Sequence, residues 1–222
     1  MPDSSGGRGG PLHALLTAID IGDEAVACDI VARHPELAPV RARGASVVRL
    51  AAYAHMGGLV EDLLTAGAPL DVFDAAALGR TDELQALLDE DPARRDAESA
   101  DGFTPLHLAA FFGHVRATEL LLNRGAPCDP VSSNPMGVHP INSAAAGAHE
   151  VVVHLLLDHG ADADAAMSDG YRPLHAAAHN DRPDMVRLLL ERGADPNARN
   201  ELGQTPADVA VGDEVRAIFA AL

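Results

Sequence analysis

Lysine and tryptophan are absent from this chain of 222 residues, and aromatic residues make up only 3% of it. All 16 basic residues are therefore arginines, and 33 acidic residues give the chain a net charge of −17. Binding to nucleic acid or to an anionic membrane surface requires clustered positive charge, so this composition argues against both as partners. With 47% hydrophobic residues, the chain is expected to fold rather than to be disordered.

Other absences limit where the protein works. No apolar run approaches the roughly 18 residues of a membrane span. Cys28 and Cys128 form no metal-ligand pattern and are too few for a disulfide scaffold, which favours a reducing cytoplasm. Met1–Gly10 lacks the apolar segment of a signal peptide and is expected to be a flexible tail, residues 1–10. The Ala-rich, Lys-free composition is typical of high-GC bacteria.

One motif recurs four times in the second half of the chain. The copies are Thr104–Ala110 (TPLHLAA), His139–Ala145 (HPINSAA), Arg172–Ala178 (RPLHAAA) and the shorter Thr205–Ala210 (TPADVA). Their first residues are 35, 33 and 33 positions apart. A Leu-Leu-Leu motif that ends in Gly-Ala recurs in phase, at Leu120–Ala126, Leu155–Ala161 and Leu188–Ala194. A fixed period of this length indicates a repeat architecture.

The residues of one copy predict its local structure. Thr104 is an N-cap whose side chain can accept from a free backbone N–H, and Pro105 suits the first helical turn. The small residues that follow allow close packing, and a second helix ends at Gly125. Each unit is thus a turn, a short helix, a longer helix and a turn, and it must stack on its neighbours to bury its apolar faces.

The period near 33 residues and the T-P-L-H-x-A pattern at Thr104–Ala109 resemble the ankyrin-repeat family. The resemblance implies an all-α solenoid of stacked helix-turn-helix units with projecting turns. It also implies that His107 and His175 brace the cap against the neighbouring unit. Asn142 replaces this histidine in one unit and Arg172 replaces the cap threonine in another, so the brace is expected to be imperfect there.

The repeats divide the chain as follows. We expect a single domain over residues 11–222, with the clearest repeats at 101–133, 134–168 and 169–200, degenerate repeats within 11–100 and a C-terminal cap at 201–222. This makes about six repeats. The second and third units follow each other so closely, around Gly67, that the usual projecting turn is expected to be missing there.

Motifs for metal or catalytic chemistry are incomplete in this sequence. His149 and His154 flank an H-E-x-x-x-H stretch, one residue longer than a zinc-protease helix needs. Asp162, Asp164 and Asp169 lack the order of a calcium loop. We therefore expect no metal, no cofactor and no catalytic residues.

The few aromatic residues lie where the ankyrin family recognises its partners, at turn tips and just after the Ala-Ala pair of the first helix. Phe103 and Tyr171 hold turn-tip positions, whereas Tyr53, Phe111 and Phe112 follow an Ala-Ala pair. The same predicted partner-binding surface also includes Met136, Val138, His179, Asn180, Asp101 and Asp181. Small residues at Ala146 and Gly147 suggest a hollow beside the two phenylalanines. Phe73 and Phe219 are expected in the core or the cap.

The resemblance implies a concave groove at these positions, and the exposed aromatic residues there favour a non-catalytic module that binds another protein in the groove, one with a basic or apolar docking surface. One alternative is a small-molecule site or an atypical enzyme that uses His139, His179, Asp101 and Asp181 as acid and base groups. A second is a homodimer formed through the same aromatic residues.

Overall fold

The computed structural model describes residues 9–222, so most of the predicted tail lies outside the described residues. The described chain divides into two compact units, unit 1 up to Asp74 and unit 2 from Ala75 to Leu222. The described residues are mostly helical, which confirms the predicted all-α ankyrin class. No helix among them is long and apolar enough to cross a membrane.

Unit 1 consists of short helices and one small hairpin. Its elements are α1 (Pro11–Asp20), α2 (Glu24–Arg33), a 3-10 segment (Pro35–Leu37), β1 (Arg41–Ala42), β2 (Ala45–Ser46), α3 (Val47–Tyr53) and α4 (Gly57–Thr65). Helix α5 (Val72–Ala77) begins six residues after α4 without a strand pair between them, as expected around Gly67. Leu15, Ala27, Leu59 and Leu63 are fully buried between the helices.

A buried charged pair lies beside the hairpin of unit 1. Arg49 is fully buried, donates from Nη2 to the Gly44 carbonyl at 3.2 Å and lies over the Phe73 ring at 5.4 Å. Its Nε is 4.0 Å from the carboxylate of Asp74, which also accepts from Ser46 Oγ at 2.8 Å. Burial raises the pKa of Asp74 to about 6. Half-buried Phe73 therefore packs on this pair.

Unit 2 contains the four motif copies as successive helix pairs. After α6 (Thr81–Glu90) and a 3-10 segment (Pro92–Asp96) come α7 (Pro105–Phe111), α8 (Val115–Asn123), α9 (Pro140–Ala146), α10 (Glu150–Asp158), α11 (Pro173–His179), α12 (Pro183–Glu191), α13 (Pro206–Val209) and α14 (Asp213–Ala220). The first helices α7, α9, α11 and α13 pack in series, and the second helices cover them on one side. In the final pair, Val215 is buried and Phe219 is half-buried.

One buried hydroxyl in the second layer of unit 2 is unsatisfied. Thr118 of α8 is fully buried, and its Oγ1 has no hydrogen-bond partner within the described residues. The equivalent positions of α10 and α12 hold Val153 and Val186, which are also fully buried. A buried polar atom without a partner lowers stability because its hydration is lost and not replaced.

We expect Thr118→Val to raise the free energy of unfolding by about 1 kcal/mol, because it removes the unsatisfied hydroxyl with little change of shape. Urea denaturation followed by circular dichroism measures this change. Val153→Thr is the matched control, expected to lower the free energy of unfolding. A Thr118→Val protein less stable than the wild type would show that the hydroxyl is satisfied in solution.

Candidate functional site

A histidine brace fixes the start of α7 against the next repeat. The Thr104 N–H donates to His107 Nδ1 at 3.2 Å, so the neutral ring carries its proton on Nε2. Nε2 donates to the Val138 carbonyl of the following hairpin at 2.9 Å. Burial lowers the pKa of His107 to about 4, against the opposing effect of the Val138 carbonyl. The ring is thus held neutral between two repeats.

The next two units keep this brace with different residues. Asn142 accepts from the His139 N–H at 3.0 Å and donates to the Ala165 carbonyl at 3.0 Å, so it makes both bonds of the histidine. The expectation of an imperfect brace was therefore wrong for this unit. His175 accepts from the Arg172 N–H at 3.3 Å and donates to the Gln204 carbonyl at 3.0 Å; this unit lacks only the cap hydroxyl.

The other ends of the first helices are also tied from one repeat to the next. His114 Nε2 donates to the Ala77 carbonyl at 2.9 Å, and His149 Nε2 donates to the Phe111 carbonyl at 2.9 Å. In the third link, Asn180 Nδ2 donates to the Ala145 and Ala146 carbonyls at 3.2 and 3.1 Å. These bonds satisfy carbonyls that a helix end otherwise leaves free.

Hairpins project before each first helix, and their tips are joined in a row. One backbone bond closes each hairpin: Ser99 to Phe103, Ser132 to Val138, Met167 to Tyr171 and Asn200 to Gln204. Neighbouring tips are linked by Ser133 N–H to Gly102 O at 3.1 Å, Ser168 N–H to Met136 O at 2.9 Å and Glu201 N–H to Asp169 O at 2.8 Å. Gly102 and Gly170 have φ of +82° and +73°, as the predicted turns require.

Phe103 and Tyr171 hold equivalent positions at the ends of two hairpins. The Phe103 ring centroid is 5.7 Å from that of His107, and the Tyr171 centroid is 5.1 Å from that of His175. Both aromatic side chains are half-buried, and burial raises the pKa of the Tyr171 hydroxyl. They cover the brace histidines with one face and remain partly open to solvent.

Phe111 and Phe112 lie at the carboxyl end of α7. Their ring centroids are 5.1 Å apart with an interplanar angle of 89°, which is an edge-to-face pair. Phe111 is 38% exposed and Phe112 is half-buried. Because α7 has seven residues, this pair stands about 10 Å from the hairpin end of the same helix.

The structure corrects part of the predicted surface. Val138 is only 7% exposed, because its N–H donates to Ser132 Oγ at 2.7 Å and its carbonyl accepts from His107. It belongs to the hairpin interior and not to the tip. The Asn180 amide is engaged with the α9 carbonyls and so has a structural role.

The hollow expected at Ala146 and Gly147 is occupied by side chains of the stack. A Cβ on Gly147 would come within 2.5 Å of the His149 ring and 2.7 Å of the Phe111 carbonyl. Glycine is needed here because the His149 ring passes directly over the backbone on its way to Phe111. The Asn180 amide donates to the Ala146 carbonyl, and the Ala146 side chain is exposed.

The remaining predicted residues lie in different places. Met136 is 51% exposed at a hairpin tip, and His179 is exposed at the end of α11. Asp181 is exposed in the turn between α11 and α12, with a φ of +51°. Asp101 is half-buried and accepts from Ser99 Oγ. Tyr53 is half-buried at the end of α3, in unit 1.

The acid and base groups of the alternative site lie outside three depressions on the described surface of unit 2. Three depressions of about 530, 350 and 320 Å³ lie on unit 2, and none is lined by His139, His179, Asp101 or Asp181. His139 is engaged with Asp129 at 2.7 Å. Within residues 9–222, no three His, Cys, Asp or Glu side chains are placed to hold a metal ion.

The third depression includes residues that the sequence analysis did not predict for the binding surface. Met167, Ser168 and Glu201 line it together with Pro135 and Met136. A signal was present in the sequence, because the motif spacing is 35 residues at this unit and 33 at the next two. The extra residues fall between Gly125 and Pro140, in the hairpin that carries Met136.

Stacked helix pairs, projecting hairpins and a bracing residue at the third helical position define a helical repeat protein. Family models described as ankyrin repeats (many copies) match residues 72–122 and 156–210. These two stretches of the chain are therefore ankyrin repeats.

Several curated proteins are similar over part of the chain. The 26S proteasome non-ATPase regulatory subunit 10 of Dictyostelium discoideum is 31% identical over 48% of this chain and 42% of its own. The ankyrin repeat and SAM domain-containing protein 6 of Mus musculus is 37% identical over 46% of this chain and 11% of its own. The E3 ubiquitin-protein ligase XB3 of Oryza sativa subsp. japonica is 40% identical over 45% of this chain and 21% of its own. The matches thus span less than half the length of these relatives.

Exchanging His107 for asparagine, the residue that α9 uses, tests the brace. The pKa of His107 is about 4 in the folded protein, against an ordinary pKa of 6.5 for histidine. At a pH between these two values, the unfolded chain binds one more proton at this residue than the folded chain does. Stability from this group is therefore complete above pH 6.5 and is lost as the pH falls towards 4, by up to about 3 kcal/mol.

We expect His107→Asn to remove this part of the acid sensitivity, as measured by urea denaturation at pH 7 and pH 4.5. The reverse exchange, Asn142→His, should increase acid sensitivity. An unchanged pH dependence in both variants would contradict the bonding described for the brace.

Proposed function

We propose that the chain is a non-catalytic protein-interaction module. Its binding surface is the face of unit 2 formed by Phe103, Phe111, Phe112, Met136 and Tyr171, here named the aromatic face. The observation that carries the proposal is the edge-to-face pair of the 38% exposed Phe111 and the half-buried Phe112, at the end of a helix that is tied at both termini.

The variation between repeats supports this face. The Ala-Ala pairs at 109–110, 144–145 and 177–178 are buried in all three first helices. The residue that follows each pair differs and is exposed in all three cases: Phe111 at the end of α7, Ala146 at the end of α9 and His179 at the end of α11. A stack that keeps its buried positions and varies the adjoining surface has the arrangement of a recognition scaffold.

The chemistry of the face suits burial against a protein. Large aromatic side chains held by a rigid backbone lose little conformational entropy on binding and are frequent energetic centres of interfaces. The braces position the rings before the partner arrives, so binding does not have to order them.

Charge selects among partners. The chain has a net charge of −17, and Asp101, Asp169 and Asp181 lie in the tips and turns of unit 2. Such a field speeds the approach of a basic partner and slows that of an acidic one. The rate of association should therefore decrease as salt is added.

The relatives support only the general part of this proposal, a protein-interaction module, and no particular partner. Their names describe a proteasome regulatory subunit and proteins that combine ankyrin repeats with other parts. We propose for this chain only the property that its own repeats support, which is binding to another protein.

Replacing both phenylalanines tests the proposal. The full chain is used as bait, a stoichiometric partner is identified by mass spectrometry, and its purified form is titrated calorimetrically. Phe111→Ala/Phe112→Ala should raise the Kd about tenfold or more, because two interface aromatic side chains are lost. Circular dichroism checks that the variant is folded.

Val115→Ala/Val151→Ala is the matched control, since both valines are exposed on second helices and neither belongs to the aromatic face. It should leave the Kd unchanged. Equal affinity of the phenylalanine variant and the wild type would contradict the proposal. If the wild-type chain is dimeric by light scattering and the phenylalanine variant is monomeric, the aromatic face binds a second copy of this chain and not a separate partner.

A further inference from the structure

One hairpin of unit 2 is longer than the others. The closing bond joins residues four positions apart in three hairpins, whereas in the hairpin before α9 it joins Ser132 and Val138, six positions apart. The two additional residues enlarge the tip, which contains Asn134, Pro135 and Met136. Of these four hairpins, the one before α9 alone contains the insertion.

The enlarged tip is fixed on both sides. Asn134 Oδ1 accepts from the Met136 N–H at 3.1 Å, and Asn134 Nδ2 donates to the Asp101 carbonyl of the preceding hairpin at 3.1 Å. The Met136 carbonyl accepts from the Ser168 N–H of the following hairpin at 2.9 Å. Met136 is therefore held out from the stack, with a 51% exposed side chain.

Between this tip and the next two lies the depression of about 320 Å³. Pro135, Met136 and Met167 give it apolar surface, and Asp169 and Glu201 add two carboxylates from the neighbouring tips. The lining contains no cationic residue. We name this depression the tip groove.

Within the described residues, no ion pair joins Asp169 or Glu201 to the arginine of the neighbouring hairpin. Arg199 donates from Nη1 to the Gly203 carbonyl of its own hairpin. Asp169 Oδ1 accepts from the Tyr171 N–H at 2.9 Å, a bond that positions the carboxylate without neutralising it. The groove thus combines methionine thioethers with a negative field.

We propose that the tip groove takes one lysine or arginine side chain of the partner protein, an inference that rests on the proposed function. The aliphatic stem would lie on Met136 and Met167, and the cationic head would reach Asp169 and Glu201. Methionine adapts its shape to such a stem, and a long basic side chain offers both the apolar length and the charge that the groove presents. Arginine and lysine share this chemistry.

Methionine methyl groups provide a direct readout. Labelling with [methyl-¹³C]methionine places probes in the groove at Met136 and Met167, and internal controls at Met56 and Met185, which are buried elsewhere. The full chain is titrated with the blocked peptide acetyl-Gly-Ser-Arg-Ser-Gly-amide. The comparison peptide has norleucine in place of arginine and keeps the stem without the charge.

We expect saturable shifts of the Met136 and Met167 methyl signals with the arginine peptide and none at Met56 or Met185. Asp169→Asn/Glu201→Gln should weaken binding about fivefold, because two exposed carboxylates are removed. Glu119→Gln/Glu191→Gln changes the net charge by the same amount on second helices and should leave the affinity unchanged.

Three results would overturn the proposal: no saturable shift with the arginine peptide, equal affinity for the norleucine peptide, or equal weakening in both carboxamide variants. The Phe111→Ala/Phe112→Ala chain separates this proposal from the previous one, because its peptide response should match that of the wild type. If this variant no longer binds the partner protein but still responds to the arginine peptide, partner binding by the phenylalanines and peptide binding in the tip groove depend on different residues.

Discussion

The hydrogen bond from the third residue of α7, α9 and α11 to a carbonyl of the following repeat is the interaction on which unit 2 depends. It joins His107 to Val138, Asn142 to Ala165 and His175 to Gln204. The same side chain also accepts from the backbone N–H of its own cap, so one group satisfies a helix start and ties two repeats together. Because the bonded atoms are buried, loss of one partner leaves a backbone group without hydration or a bond.

This bonding explains how a recognition surface can vary without disturbing the stack. Helices α7 and α9 are held at their starts by the brace and at their ends by His149 and Asn180. The side chains directly after the buried Ala-Ala pairs, those of Phe111, Ala146 and His179, take no part in these bonds. Two phenylalanines, a histidine or an enlarged tip with Met136 are thus accommodated on the same framework.

Much of the fold was predictable from the sequence, because the spacing of the Thr-Pro and Leu-Leu-Leu motifs fixes both the helices and their order. The details of the face were harder to predict. Val138 stands next to a tip in the sequence, yet its backbone closes the hairpin and draws its side chain inward. Asn142 was expected to weaken the brace. However, a side-chain amide has an oxygen that accepts and an NH2 group that donates, so it can make the same two hydrogen bonds as a neutral histidine. The hollow at Gly147 was filled because the His149 ring crosses it, and that path depends on the neighbouring repeat.

The most direct measurement is native-state hydrogen exchange of backbone amides in the wild type and in Asn142→Ala. This substitution removes the bonds to the His139 N–H and to the Ala165 carbonyl and leaves both groups buried or half-buried. The account predicts that exchange of the His139 amide and of the amides of α9 becomes about tenfold to a hundredfold faster. Unchanged exchange throughout α9 would show that apolar packing alone holds the repeats and would contradict the central role of the brace.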